Sequence, residues 1–262
     1  MYRIKSAMIL IKLGGSVITD KKEYKRFRKD VVSRLCREIK DSGKDVMIVH
    51  GAGSFGHVLA KEFELQKGHI RDDQTGAVAK VSHDVRELNL MVVSELIDAG
   101  IPSVSVPTGV CSVMEDGKLL IDDEILKRYA DLKIVPVMFG DVVLDRKKGF
   151  GIGSGDAVMK CLADIFNPEK IIFVSDVDGL YDKDPKTAED AELIPDVTED
   201  TINMISSEMS VADVTGGIRE KMRVMLDMCS DGRDCILVNG TAEGRLHSLL
   251  TGKGAVCTRA RK

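Results

Sequence analysis

Tryptophan is absent from this chain of 262 residues, and its six cysteines form no Cys-x-x-Cys pair. The cysteines (Cys36, Cys111, Cys161, Cys229, Cys235 and Cys257) are scattered. That argues against a disulfide scaffold or a zinc site and fits small core residues in a reducing cytoplasm. Without tryptophan, twelve methionines point to a core filled by flexible side chains, or to a greasy substrate pocket. No apolar run approaches the roughly 20 residues that cross a membrane, and no secretory signal is visible. Positive charge is not in excess: 38 Lys and Arg against 42 Asp and Glu leave a net charge of −4, which argues against a nucleic-acid partner. The pattern Gly-x-x-x-x-Gly-Lys-Ser/Thr is missing, so this is no Walker-type nucleotide site.

What remains is ordinary in bulk, with 44% apolar and 31% charged residues, enough for one large α/β domain or two small ones. No repeat or low-complexity linker breaks the chain. Strand-like and helix-like segments alternate, the pattern of a mostly parallel sheet with helices on both faces. Strands are predicted at Met8-Leu13, Asp45-Val49, Ser103-Val106, Ile134-Phe139, Lys170-Val174 and Cys235-Val238, with a last one at Ala255-Thr258. Helices are predicted at Lys29-Ser42 and Ser82-Ala99, the second stopped by Gly100-Ile101-Pro102. Gly117-Lys118 marks a small hairpin between Cys111-Met114 and Leu119-Ile121. The residues before Met8 are given no role, so the start could be Met1 or Met8.

A doubly wound sheet binds ligands beyond the carboxyl ends of its strands. There the chain places Lys12-Gly15, His50-His57, Gly140-Asp141, Ser175-Gly179 and Asn239-Gly240, all glycine-rich or polar. Backbone N–H groups at Gly14, Gly15 and Ser16 can cradle phosphate oxygens beside the Lys12 charge, although a plain turn would look the same. Lys21 is within reach of the same space, or is a solvated lysine in a charged run. Gly51, Gly53 and Gly56 permit a nest before a helix expected near Val58, with His57 in its first turn. His50 reads as a packing group. Asp156, after Gly153-Ser154-Gly155, sits where a helix N-terminus favours a carboxylate, as a cap or as an anchor for lysines. Asp176, Tyr181 and Asp184-Pro185 suit a ribose and base, or an acidic turn. Gly216-Gly217 turns into a helix carrying Lys221 about one turn in. Val78, Val81, Leu88 and Met91 recur at helical spacing and fit either an apolar pocket or the core.

Together these strings resemble the amino acid kinase superfamily from Met8 onward. They are Lys12-Leu-Gly-Gly15, His50-Gly-Ala-Gly53, Gly153-Ser-Gly-Asp156, Ser175-Asp-Val-Asp-Gly-Leu-Tyr181 and Thr215-Gly-Gly-Ile-Arg-Glu-Lys221. Within it, Gly53-Ser54-Phe55-Gly56-His57 and the segment Val135–Asp141 resemble the isopentenyl phosphate kinases, while fosfomycin kinases share much of the signature. The resemblance implies an α/β fold, an open three-layer αβα sandwich with a central mostly parallel sheet. It implies a single domain over residues 8–262, with the acceptor bound by residues 8–150 and ATP by 151–262, in a cytoplasmic homodimer. Lys12, Lys21 and Lys221 would contact phosphates, Lys21 as transition-state stabiliser, and Asp156 would orient Lys12 and Lys221. Ala52, His57 and Gly140 would hold the acceptor. Gly14, Gly15, Ser16, Gly53, Asp176, Tyr181 and Gly216 would lie on the nucleotide side. The implied reaction is ATP-dependent phosphorylation of isopentenyl phosphate in isoprenoid synthesis. Mg²⁺ would be carried by the nucleotide, and no dedicated protein metal site is expected. A fosfomycin-type phosphonate or an acetylglutamate-type carboxylate is the alternative acceptor.

Overall fold

The computed structural model describes residues 8–183, 188–208, 216–229 and 233–261. Residues 1–7, Asp184-Pro185 and Asp213-Val214-Thr215 therefore lie outside the described residues. The strands described are β1 (Ile9–Leu13), β2 (Val46–His50), β3 (Ser103–Ser105), β4 (Ser112–Glu115), β5 (Lys118–Ile121), β6 (Val135–Phe139), β7 (Asp141–Asp145), β8 (Gly149–Gly153), β9 (Lys170–Ser175), β10 (Leu180–Tyr181), β11 (Leu193–Ile194), β12 (Asp196–Val197), β13 (Asp234–Asn239) and β14 (Cys257–Ala260). The helices are α1 (Gly15–Ile18), α2 (Lys29–Asp41), α3 (Gly53–Glu62), α4 (Gln74–Asp98), α5 (Thr108–Cys111), α6 (Asp123–Asp131), α7 (Gly155–Phe166), α8 (Glu199–Glu208), α9 (Gly216–Met228) and α10 (Arg245–Leu250).

Eight strands form the main sheet in the order β12-β14-β13-β9-β1-β2-β6-β3. From β13 through to β3 every neighbour pairs parallel, while β14 runs antiparallel to β13 and pairs parallel with β12. Helices cover both faces, so the inner strands are apolar at almost every position rather than alternating. Side chains still alternate in direction. Ile9, Ile11 and Leu13 pack with Leu35, Leu88 and Leu246 from α2, α4 and α10. Leu10 packs on the other face with Val158 and Leu162 of α7 and Met222 and Met225 of α9. This is the expected three-layer αβα arrangement. No helix among the described residues is long and apolar enough to cross a membrane.

Adjacent strand ends are laced together by the backbone: Gly14 N–H donates to Val174, Gly51 to Leu13, Gly140 to His50 and Gly240 to Ser175, at 2.8–3.1 Å. The four loops thus form one rim. The central strands and α2 lie where expected, within a residue. A second, smaller sheet, β5-β4-β7-β8, extends the predicted hairpin beyond the end of β6.

Three boundaries depart from the sequence reading. Helix α4 begins eight residues earlier, at Gln74, because Gln74 itself anchors its start. Its buried amide accepts from the N–H groups of Ile70 and Arg71, ahead of the helix, and donates to the Phe63 carbonyl, while Asp73 at the N-cap makes no side-chain cap bond. Helix α3 begins at Gly53 rather than near Val58, so His57 lies in its second turn. Gly56 then serves helix packing, since a Cβ there would sit 2.8 Å from the Ala52 Cβ and 2.9 Å from Val85. The last strand lies at Cys257–Ala260, two residues later than expected, with Ala260 paired to Cys235.

The first two glycine loops press directly on each other. A Cβ at Gly15 would lie 2.5 Å from the Gly53 nitrogen, a backbone atom that cannot step aside. Gly15→Ala should therefore lower the unfolding free energy by about 1–3 kcal/mol, as overpacked cores do. Gly76→Ala meets nothing within 4 Å near the start of α4 and should raise it by about 0.5 kcal/mol. Urea titration of the two variants checks the opposite signs, and equal effects would refute the contact.

Candidate active site

Lys12 is the penultimate residue of β1 and is 8% exposed. Its side chain points to the α7 face, passes over the Phe173 ring with Nζ 5.7 Å from the centroid, and donates to Asp156 Oδ1 at 2.5 Å. The carboxylate is free to do this because Ser154, not Asp156, caps α7 by accepting from the Ala157 N–H. The capping alternative for Asp156 is thereby replaced by the anchoring one.

Lys21 sits on a tight hairpin closed by the Thr19–Phe27 bridge and by the Asp20 N–H donating to the Arg26 carbonyl. It is exposed, and its Nζ donates to Asp176 Oδ2 at 3.0 Å. Asp176 Oδ1 accepts from Ser16 Oγ at 2.6 Å. Partial burial pushes the Asp176 pKa up, but the Ser16 hydroxyl and the Lys21 ammonium outweigh it and hold the carboxyl below its ordinary range. An exposed pair of this kind is worth little. Lys21 can therefore leave Asp176 for an incoming anion at small cost.

Lys221 projects from the second turn of α9, five residues after Gly216 opens the helix. It makes no ion pair with any described residue. Burial, then the Lys12 ammonium, lower its pKa, while Asp156 and Asp176 act in the opposite direction. Asp156 is thus bonded to Lys12 and touches Lys221 only through its field.

These groups open on one cleft of about 690 Å³, which also takes in Gly14, Gly15, Ser16, Ala52, Gly53, His57, Gly140 and Tyr181. That volume suits a pair of small ligands. His57 is exposed to the cleft, and its pKa is lowered first by crowding from the surrounding protein and then by Lys12. Burial is likewise the largest influence on Tyr181, raising its pKa, with Asp178 adding to it. Asp178 is itself fixed by Asn239 at 2.7 Å and Arg245 at 2.6 Å.

The cleft lining also includes the apolar Val81, Val85 and Ile152 and the buried Asp141, with Val81 and Val85 packed beside Gly56, the residue before His57. Of the four helical positions noted in the sequence, only Val81 lines the cleft. Val78 packs in the small cluster around Phe139, and Leu88 and Met91 belong to the core beneath α4. Val85 was legible as the residue one turn after Val81, but Ile152 carries no sequence signal, because its place depends on how the second sheet folds back. His50 is the packing group expected. Its Nδ1 lies 3.0 Å from the Gly51 carbonyl, its Nε2 3.1 Å from Asn89, and its ring stacks on Phe139.

The sequence pattern of the amino acid kinase family matches residues 7–239. The chain is 36% identical to a Thermoplasma acidophilum protein described as isopentenyl phosphate kinase, over 91% of this chain and 94% of that one. It is 34% identical to a Methanothermobacter thermautotrophicus protein of the same description, over 96% and 98%. Its fold superimposes on an X-ray structure of isopentenyl phosphate kinase with a TM-score of 0.85 and 30% identity, covering 97% of this chain and all of the other.

Burial lowers the His50 pKa to about 4. The unfolded chain binds a proton near pH 6.5 that the native state refuses, so His50 leaves stability intact above that value. Between pH 6.5 and about 4 it removes up to about 3 kcal/mol. Denaturant unfolding across this range should show the loss in the wild type and not in His50→Gln; parallel pH profiles would contradict it.

Proposed function

The chain belongs to the amino acid kinase family, and on that premise we propose that it transfers the γ-phosphoryl group of ATP to the phosphate of isopentenyl phosphate, releasing isopentenyl diphosphate and ADP. The observation that carries this reading is the single cleft. It is lined at once by Lys12, Lys21 and Lys221, by His57 with the apolar Val81, Val85 and Ile152, and by Asp176 and Tyr181.

The acceptor phosphate lies at the Ala52, His57 and Gly140 rim, with its prenyl tail against Val81, Val85 and Ile152. ATP lies across Gly14, Gly15, Ser16 and Gly53, toward Asp176, Tyr181 and Gly216. Phosphate monoesters have a second pKa of about 6, so the acceptor is already a nucleophile at neutral pH and no strong base is needed. His57 donates a hydrogen bond to the incoming phosphate. An acceptor oxygen forms the new bond to the γ-phosphorus as the bond to the β-bridging oxygen breaks. Charge accumulates on the transferring group and the leaving ADP. Lys12, Lys21 and Lys221 stabilise it, which is the main task of a protein in such a transfer. Lys21 shifts from Asp176 onto the transferring phosphoryl, while Lys12 stays aligned by Asp156.

Mg²⁺ accompanies the nucleotide. Among the described residues the cleft offers no carboxylate cage, since Asp156 stays bonded to Lys12, Asp176 keeps its Ser16 bond and Asp141 accepts from the backbone of Gly109 and Val142, so the ion is held mostly by phosphate and water. Buried free thiols are consistent with a reducing cytoplasm, and a homodimer is part of the same proposal.

A coupled ADP-release assay should show kcat/KM for isopentenyl phosphate exceeding that for fosfomycin, acetylglutamate and UMP by about 100-fold or more. Preference for any of the others would reject the acceptor. Lys21→Ala should lower kcat by about 10²–10³ with ATP affinity little changed. His57→Ala should raise the acceptor KM and spare that of ATP, and the reverse pattern would exchange the two ends of the cleft.

A further inference from the structure

Asp84 lies on α4 one helical turn after Val81 and next to Val85, the two residues that α4 presents to the cleft. Its side chain is fully buried, although it bears a charge and belongs to no part of the cleft lining. The groups around it explain why. Tyr24 Oη donates to Oδ2, while Oδ1 accepts from Lys25 Nζ at 3.2 Å and Lys80 Nζ at 2.7 Å and lies 2.9 Å from His83 Nδ1. Lys25 also pairs with Glu87, one turn further on, and lies over the Phe55 ring of α3. His83, Asp84 and Glu87 come close enough to ligate a cation, but the Lys25 and Lys80 ammonium groups already fill that role.

Tyr24 and Lys25 form the far side of the hairpin that carries Lys21. Lys25 is held in the left-handed region at φ +58, which a non-glycine residue adopts only when its surroundings impose it. One helix turn therefore offers apolar side chains to the acceptor pocket and a carboxylate to the hairpin bearing the proposed transition-state lysine. We propose that Asp84 is a positioning residue: through Tyr24 and Lys25 it ties the Lys21 hairpin to α4, so that the acceptor wall and the Lys21 ammonium hold a fixed relation. The inference rests on the role proposed above for Lys21. Asp84 touches no substrate and acts only through that lysine.

The full-length protein tests this in two ways. Asp84→Asn keeps the shape but removes the charge, and should speed amide exchange at residues 19–27 in the absence of any acceptor. With the best acceptor of the panel, Asp84→Asn should lower kcat by about ten- to a hundredfold while the ATP KM stays within about twofold, the mark of a misplaced catalytic group. Tyr24→Phe, at a half-exposed site, should do the same more weakly and serves if Asp84→Asn fails to fold. In a Lys21→Ala background both substitutions should cost little further activity, because the group they position is gone. Multiplicative losses, or faster exchange with unchanged kcat, would leave Asp84 a structural anchor and overturn its positioning role. Turnover of a different acceptor would reject the substrate assignment alone, and a harmless Lys21→Ala the role of Lys21.

Discussion

The cleft depends on one partly buried ion pair. Lys12 is the penultimate residue of the central strand of a sheet covered on both faces, where an isolated ammonium would be costly. Its partner, Asp156, comes from the first turn of α7, 144 residues later. The pair fixes the helix against the strand and joins the two halves of the chain in the lining of the cleft. Ser154 makes this possible by capping α7 and leaving the Asp156 carboxylate unspent.

Around that pair the remaining cations are held at different costs. Lys21 rests on Asp176 in solvent and leaves it easily. Lys221 is half-buried and makes no ion pair with any described residue, and the Lys12 ammonium opposes its charge. Such crowding of like charge would be relieved by a bound polyanion, as the proposed reaction requires. A site whose fields are arranged for charge not yet present is what phosphoryl transfer between two anions requires.

Much of this was legible in the sequence because strand ends and their loops are local. Lys12, Gly14, His50, Gly140 and Ser175 each follow an apolar run, and a parallel sheet brings all such ends to one edge. The family resemblance added roles that no spacing supplies. The start of helix α4 is not legible in the sequence because it depends on Gln74 bridging to Phe63, a tertiary contact rather than a cap signal. Ile152 and Asp84 were silent for the same reason. Each acquires meaning only when a second sheet or a hairpin folds against it. Leu88 and Val81 are equivalent in periodicity, yet Leu88 is buried in the core and Val81 lines the cleft.

The most direct test is an NMR titration of the Lys221 side chain. In the free protein its pKa should lie below the ordinary lysine value. It should rise when ADP and isopentenyl phosphate are bound together, as their phosphates replace the missing counter-charge. An ordinary pKa in the free protein that does not move with the ligands would contradict the account.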